Sequence, residues 1–238
     1  MKFDIITIFP NLFESFEKEA LIARAIKKKI IAIKAHNLRR WTRDNHQSVD
    51  DRPYGGGAGM VMMVEPILKA VTALRKIKKK SRVILFSAKG KKFDQAMARH
   101  FAKLDQIIMI CGRYEGIDER VAQYVADEEI SIGDYVLFGG EVPAMAVMEA
   151  VTRLIPGAVA KQESVMDESF SELKGVEKKM MSGMLEYPHY TRPEKIKISG
   201  KQRSVPPVLL TGNHGKIEEW RRKQAVSITK KRRPDLIK

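Results

Sequence analysis

A single cysteine, Cys111, stands in 238 residues. That excludes a disulfide framework within the chain and fits a reducing compartment. The cysteine closes the apolar run Ile107-Ile108-Met109-Ile110, the setting of a buried small hydrophobe and not of a nucleophile. The five histidines, His36, His46, His100, His189 and His214, follow no metal-ligand spacing, so no zinc site is expected. No apolar run nears the roughly eighteen residues of a membrane span. The amino-terminal run holds Asp4, meets Pro10 and has no small-residue cleavage site, so it reads as a first strand and not as a signal peptide. A cytoplasmic protein with no membrane partner is the expectation.

Acidic residues are also scarce. Lys and Arg number 44 against 29 Asp and Glu, a formal net charge of +15. From Lys195 to Lys238 there are thirteen Lys/Arg and three acidic residues, so about two thirds of the net charge lies there. A basic tail on a more balanced body reads as a nucleic-acid arm or as a solvated basic surface.

Short apolar runs alternate with helical patterns over the first 154 residues. Strands are expected at Phe3–Phe9, Ile30–Ala35, Val83–Ser87, Gln106–Cys111 and Glu129–Ile132. Helices are expected after an Asn11 cap, over 65–78, 93–103, 117–125 and 142–154. Strands alternating with helices imply an α/β fold with a mostly parallel sheet covered on both faces. Residues 160–185 are polar and without period and read as a linker. Residues 186–238 form a small basic domain with a proline-rich turn at 205–207 and a helix over 214–227.

Three glycine-bearing loops could carry chemistry. The first, 50–59, lacks the Gly-Lys-Ser/Thr ending of a nucleotide loop and reads as a phosphate cradle or a flexible surface loop. The second, 111–116, sets Glu115 beside a glycine at a strand end, where it can accept hydrogen bonds from a ligand or serve as a helix-terminal carboxylate. The third, ISIGDYVLFGGEVPAM over 130–145, breaks at Gly133-Asp134 and again at Gly139-Gly140. Glycine breaks around an apolar run let backbone approach a ligand.

The segments DRPYGGGAGM (51–60), CGRYEGIDERV (111–121), IGDYVLFGGEVPAM (132–145), PHYTRP (188–193), VPPVLLTGNH (205–214) and RRPDL (232–236) stand in one order along nearly the whole chain. Together they resemble the bacterial tRNA (guanine-N1)-methyltransferase family. The resemblance implies a SPOUT-type parallel sheet with a trefoil knot at residues 1–159, a linker at 160–185 bearing a catalytic carboxylate, and a mainly helical tRNA-binding domain at 186–238. It implies a homodimer with its active site between subunits. The implied reaction is methylation, by S-adenosylmethionine, of N1 of the guanine immediately 3′ of the tRNA anticodon (position 37), with magnesium dependence and no assigned metal ligand.

Carried over position by position, the cofactor would meet Gly112, Ile132, Gly133, Asp134, Tyr135, Val136 and Leu137, with Gly139, Gly140 and Pro143 closing the pocket. Tyr114 and Glu115 match positions that contact cofactor and target guanine. Arg153 matches the arginine that stabilises charge on guanine O6; the alternative for it is an i, i+4 pair with Glu149. Arg221, Arg222, Arg232 and Arg233, with Lys230 and Lys231, would meet tRNA phosphates.

Guanine N1 carries a proton at neutral pH, so methylation there needs a base. The family pattern sets an aspartate before Ser-Phe, but this chain reads Asp167-Glu168-Ser169-Phe170. The aligned residue is Glu168, with Asp167 one step back. Two further departures are Phe86-Ser87-Ala88-Lys89-Gly90, where the family usually has Leu-Ser-Pro-Gln-Gly, and an apparent insertion over 173–182. An RNA-binding protein of the same fold, with weak or no catalysis, is the alternative reading. If Glu168 is the base, Glu168→Gln lowers single-turnover methylation by about a hundredfold or more with cofactor affinity largely intact. Full activity in that variant, with loss in Asp167→Asn, reverses the assignment.

Overall fold

The computed structural model describes residues 1–75, 80–159, 168–171 and 183–237. The chain divides into two compact units, Met1–Ala160 and Lys161–Lys238.

In the first unit, strands β1 (Lys2–Thr7), β2 (Ala32–Asn37), β5 (Ser81–Lys92), β6 (Gln106–Ile110) and β7 (Glu128–Ser131) form one sheet in the order β2-β1-β6-β5-β7. Every pairing in it is parallel. Strands β3 (Asp50–Asp51) and β4 (Val61–Met62) make a separate antiparallel pair. The alternation of side chains along a strand splits the core between the two faces. Phe3, Ile5, Ile107 and Met109 pack with Ile22 and Ala25 of α2 (Ala20–Lys27), Phe101 of α4 (Gln95–Phe101), and Val147 and Val151 of α6 (Glu141–Thr152). Ile6, Ile108 and Ile110 face Ile67 and Val71 of α3 (Val64–Leu74) and Val121 of α5 (Glu119–Tyr124). Parallel strands covered on both faces account for the unbroken apolar runs.

Buried Asp4 ties three strands together. Its carboxylate meets His36 Nε2 at 2.8 Å, accepts from Gln106 Nε2 at 2.7 Å and pairs with Lys2 Nζ at 2.6 Å. Burial pushes its pKa up, but the His36, Lys2 and Gln106 partners outweigh that and hold it below the usual carboxylate value.

Three local expectations are corrected. The helix expected after Asn11 is a 3₁₀ turn, Pro10–Phe13, then α1 (Glu14–Lys18) and α2, with the break at Ala20, whose φ is 51°. Asn11 therefore lies inside the turn and caps nothing. Strand β5 continues five residues past Ser87. It leaves the β7 ladder after Phe86 and returns at Lys91, so Phe86 and Lys91 both pair with Ile130. Gly90 makes this possible: a Cβ there would stand 2.5 Å from both the N and C atoms of Ile130.

Within the second unit, α7 (His214–Arg232) runs past the expected end at 227. Asn213 caps it, its side chain accepting from Lys216 N–H at 3.1 Å. A hairpin of β8 (Lys195–Ile198) and β9 (Lys201–Ser204) precedes it, so the unit is not helical alone. Residues 168–171 hydrogen-bond with 183–186. Asp167 and the segment 173–182 lie outside the described residues.

A methyl group at position 90 has backbone on its path and no rotamer to escape into. Gly90→Ala is expected to cost about 1–3 kcal/mol of stability by overpacking, read as a lowered denaturation midpoint. Gly215→Ala, in the first turn of α7 with its nearest neighbour at 3.6 Å, is the neutral comparison.

Candidate active site

Beyond the carboxyl ends of β5, β6 and β7 opens a cleft of about 430 Å³. That is where parallel α/β sheets hold their ligands. Its walls come from three strand ends: residues 85–89, 112–117 and 129–140. Of the positions expected from the sequence, Gly112, Ile132, Gly133, Tyr135, Val136, Leu137, Gly139, Gly140, Pro143, Tyr114 and Glu115 all line it. Asp134 does not; its side chain is 93% exposed, 3.9 Å from Lys92 Nζ. Arg153 ends α6 on the exposed side.

Glycines shape the cleft by close approach. Gly140 N–H donates to Gly112 C=O at 3.0 Å, and a Cβ on Gly140 would lie 2.6 Å from Cys111 Cα. A side chain on Gly133 would collide with the Tyr135 ring, which folds back so that its hydroxyl donates to Ile132 C=O at 3.3 Å. The apolar run 135–138 is therefore not a strand. Val136 and Phe138 stand 88% and 95% exposed, and the backbone around them is free to meet a ligand edge.

One polar anchor beneath the cleft escaped the sequence reading. Glu141 opens α6 fully buried, accepts from Thr7 Oγ1 at 2.6 Å, and takes Arg113 Nε and Nη2 at 2.9 Å each. The Arg113 guanidinium lies 4.8 Å over the Phe9 ring. A side chain on Gly139 would strike Arg113, so the Gly-Gly-Glu sequence is a packing unit: two glycines for clearance and a carboxylate for the arginine. A charged residue directly after a glycine pair at a helix start was the available signal. Burial first, and the Glu141 charge next, push the Cys111 thiol well above its ordinary value, in keeping with a buried, inert cysteine.

Other cleft residues pair across its walls. Ser87 Oγ donates to Glu129 at 2.6 Å, and Lys89 Nζ reaches Glu119 at 2.7 Å. Hydrogen bonding to Glu119 raises the Lys89 pKa. The first glycine loop joins the same site: a side chain on Gly59 would strike Glu115, Glu115 N–H donates to Met60 C=O at 3.0 Å, and Met62 N–H to Gly116 C=O at 2.9 Å. It is the neighbour of the second loop and not a free surface loop. Tyr114 adopts φ 61° and is 45% exposed. Burial, then a hydrogen bond to Asp50, raises its pKa.

In the second unit, Arg221, Arg222, Arg232 and Arg233 are all exposed. Arg221 lies 4.7 Å over the Tyr187 ring. Arg233 is engaged by a neighbouring carboxylate, Asp235, at 2.9 and 2.7 Å. Among the described residues no group of three or more His, Cys, Asp or Glu could hold a metal ion, and no helix is long and apolar enough to cross a membrane.

The family described as tRNA (Guanine-1)-methyltransferase TrmD matches residues 1–238. The chain belongs to this family. Among its relatives, the tRNA (guanine-N(1)-)-methyltransferase of Carboxydothermus hydrogenoformans is 48% identical over 238 residues, all of this chain and 88% of that protein. The protein of the same name from Clostridium novyi is also 48% identical, over all of this chain and 92% of its own length. That of Geobacter metallireducens is 46% identical over 237 residues, with 91% of its length covered. The match runs through all three cleft loops and both units.

Removing a buried carboxylate that holds an arginine leaves an uncompensated charge. Glu141→Ala is expected to cost about 3 kcal/mol and to speed hydrogen exchange at the Gly140 amide, measured by denaturation and by exchange mass spectrometry. Unchanged exchange there would show that the pair does not hold the loop.

Proposed function

We propose that this protein methylates N1 of the guanine immediately 3′ of the tRNA anticodon, with S-adenosylmethionine as donor. The observation that carries this is membership of the tRNA (guanine-1)-methyltransferase family over the whole chain, together with a cleft at the positions that the motifs name. The silent RNA-binding alternative is disfavoured, since the relatives are named for methyl transfer and the cleft walls are intact.

The cleft suits the proposed cofactor. A volume of about 430 Å³ is in the range of small-molecule sites. Val136, Leu137 and Pro143 offer apolar contact, and the glycines leave backbone donors and acceptors open to an adenine edge. When bound, S-adenosylmethionine supplies a methyl group activated by its sulfonium charge. The chain's own work is then to place guanine, take the N1 proton and hold the charge that builds on O6. We assign the proton to Glu168, with Asp167 as the alternative, the O6 charge to Arg153, and guanine contact to Tyr114 and Glu115. Magnesium dependence belongs to the same family reading and no residue is assigned to it.

The proposal includes a trefoil knot. Its support is the double pairing of Ile130 with β5 on both sides of Gly90 and the close passage of Gly140 by Cys111. It also includes a homodimer in the cytoplasm. Val142 is 59% exposed on α6, an apolar residue on an outer face that a second copy would cover. Residues 1–159, 160–185 and 186–238 serve in turn as methyltransferase domain, linker and tRNA-binding domain. Arg221, Arg222 and Arg232, with Lys230 and Lys231, meet phosphates and position the RNA, while guanine is selected at the cleft.

Incubation with methyl-labelled S-adenosylmethionine should label a tRNA with guanine 3′ of the anticodon and leave a variant with adenine there unlabelled. Affinity for tRNA should fall by roughly tenfold or more between 50 and 200 mM salt. Equal labelling of both tRNAs, or none of either, overturns the assignment.

A further inference from the structure

The carboxylate-bearing turn is built into the second unit through a chain of contacts that ends at the last turn of α7. Residues 168–171 form a tight turn, with Ser171 N–H donating to Glu168 C=O at 3.2 Å. Phe170 sits in the left-handed region at φ 65°, a conformation that a bulky residue keeps only when its surroundings impose it. The surroundings are explicit. Phe170 N–H donates to Met184 C=O at 2.9 Å, Gly183 N–H to Ser171 C=O at 2.9 Å, and Glu186 N–H to Ser169 Oγ at 3.0 Å.

Segment 183–186 is in turn fixed to the helix. Leu185 N–H donates to Thr229 Oγ1 at 3.0 Å. Thr229 is fully buried, and its own hydroxyl donates to Ala225 C=O at 2.7 Å. One turn on, the Arg233 guanidinium stands 6.0 Å over the Phe170 ring. The two-pronged bond to Asp235 holds that guanidinium, a geometry in which two parallel hydrogen bonds fix its plane. A guanidinium held by a carboxylate and laid on an aromatic face is orienting protein, not reaching for phosphate.

We propose that Arg233 and Thr229 are positioning residues for the proposed base: they hold the 168–171 turn, and through it the carboxylate of Glu168, in its working place. Arg233 thereby leaves the set of phosphate contacts, while its neighbour Arg232 stays in it. The inference rests on the assignment of Glu168 as base under the proposed function. Displacing a proton acceptor by about 1 Å can cost up to a hundredfold in rate, so an anchor of this kind acts on the rate and not on RNA affinity.

The test uses the full-length protein with saturating S-adenosylmethionine and tRNA, in single turnover, over neutral to alkaline pH. Arg233→Ala and Thr229→Val should each lower the rate constant at neutral pH by about tenfold, with tRNA affinity within about twofold of the parent. The deficit should shrink as pH rises, because guanine N1 then loses its proton without help from the protein. Arg232→Ala should instead weaken tRNA binding and lower its salt dependence. Circular dichroism melting checks folding, and Phe170→Leu, which removes the ring beneath Arg233 but keeps apolar bulk, serves if Arg233→Ala does not fold. A normal rate with weakened tRNA binding in Arg233→Ala would make it a phosphate contact and overturn the inference, as would a deficit equal at every pH. Glu168→Gln in parallel separates the two levels. Full activity in that variant defeats the base assignment itself, whereas a slow Glu168→Gln beside a normal Arg233→Ala defeats only the anchoring.

Discussion

Backbone passing close to backbone is the constraint on which the first unit depends. At Gly90 the returning half of β5 lies against Ile130 so closely that no Cβ fits, and at Gly140 the entry to α6 lies against Cys111 in the same way. Removing the side chain at these two points is what lets three strand ends and a helix start share one small volume. The cleft is a consequence of that crowding. Its walls are loops that cannot spread apart, and their donors and acceptors already face inward.

Charge then fixes what glycine permits. Glu141 is buried and would be costly alone, but Arg113 and Thr7 satisfy both of its oxygens. The pair joins the second loop to the start of α6, and the Phe9 ring covers the guanidinium. Lys89 and Glu119 join two other walls at the cleft edge. The second unit shows the same pattern at a smaller scale: a buried threonine and a forked arginine hold a four-residue turn. In both units, groups that look like free surface charge in the sequence are partners within the protein.

Much of this was legible in advance. Apolar runs at a period of two, separated by helical patterns, give a parallel sheet with both faces covered, and every central strand lies within a few residues of its expected place. The three glycine loops were legible as ligand-bearing, and the motif order identified the family. Less legible were features set by contacts between distant residues. Glu141 reads as one more acidic residue at a helix start until Thr7, 134 positions away, is seen to donate to it. Residues 135–138 read as a strand by composition, but the turn at Gly133 folds Tyr135 back and leaves the run outside any sheet. The return of β5 past Ser87 has no local signal, because Lys89, Lys91 and Lys92 are polar and pair with β7 only through the clearance at Gly90.

Composition and pattern alone determined the α/β class, the basic carboxyl-terminal segment and the family, because each is a property of local periodicity, charge count or motif order. The tertiary structure decided which glycines are clearances, which carboxylate anchors the cleft, and that Arg233 turns toward Asp235 and Phe170. Those outcomes depend on which distant backbone segments meet within a few ångströms, and a one-dimensional pattern carries no such distance.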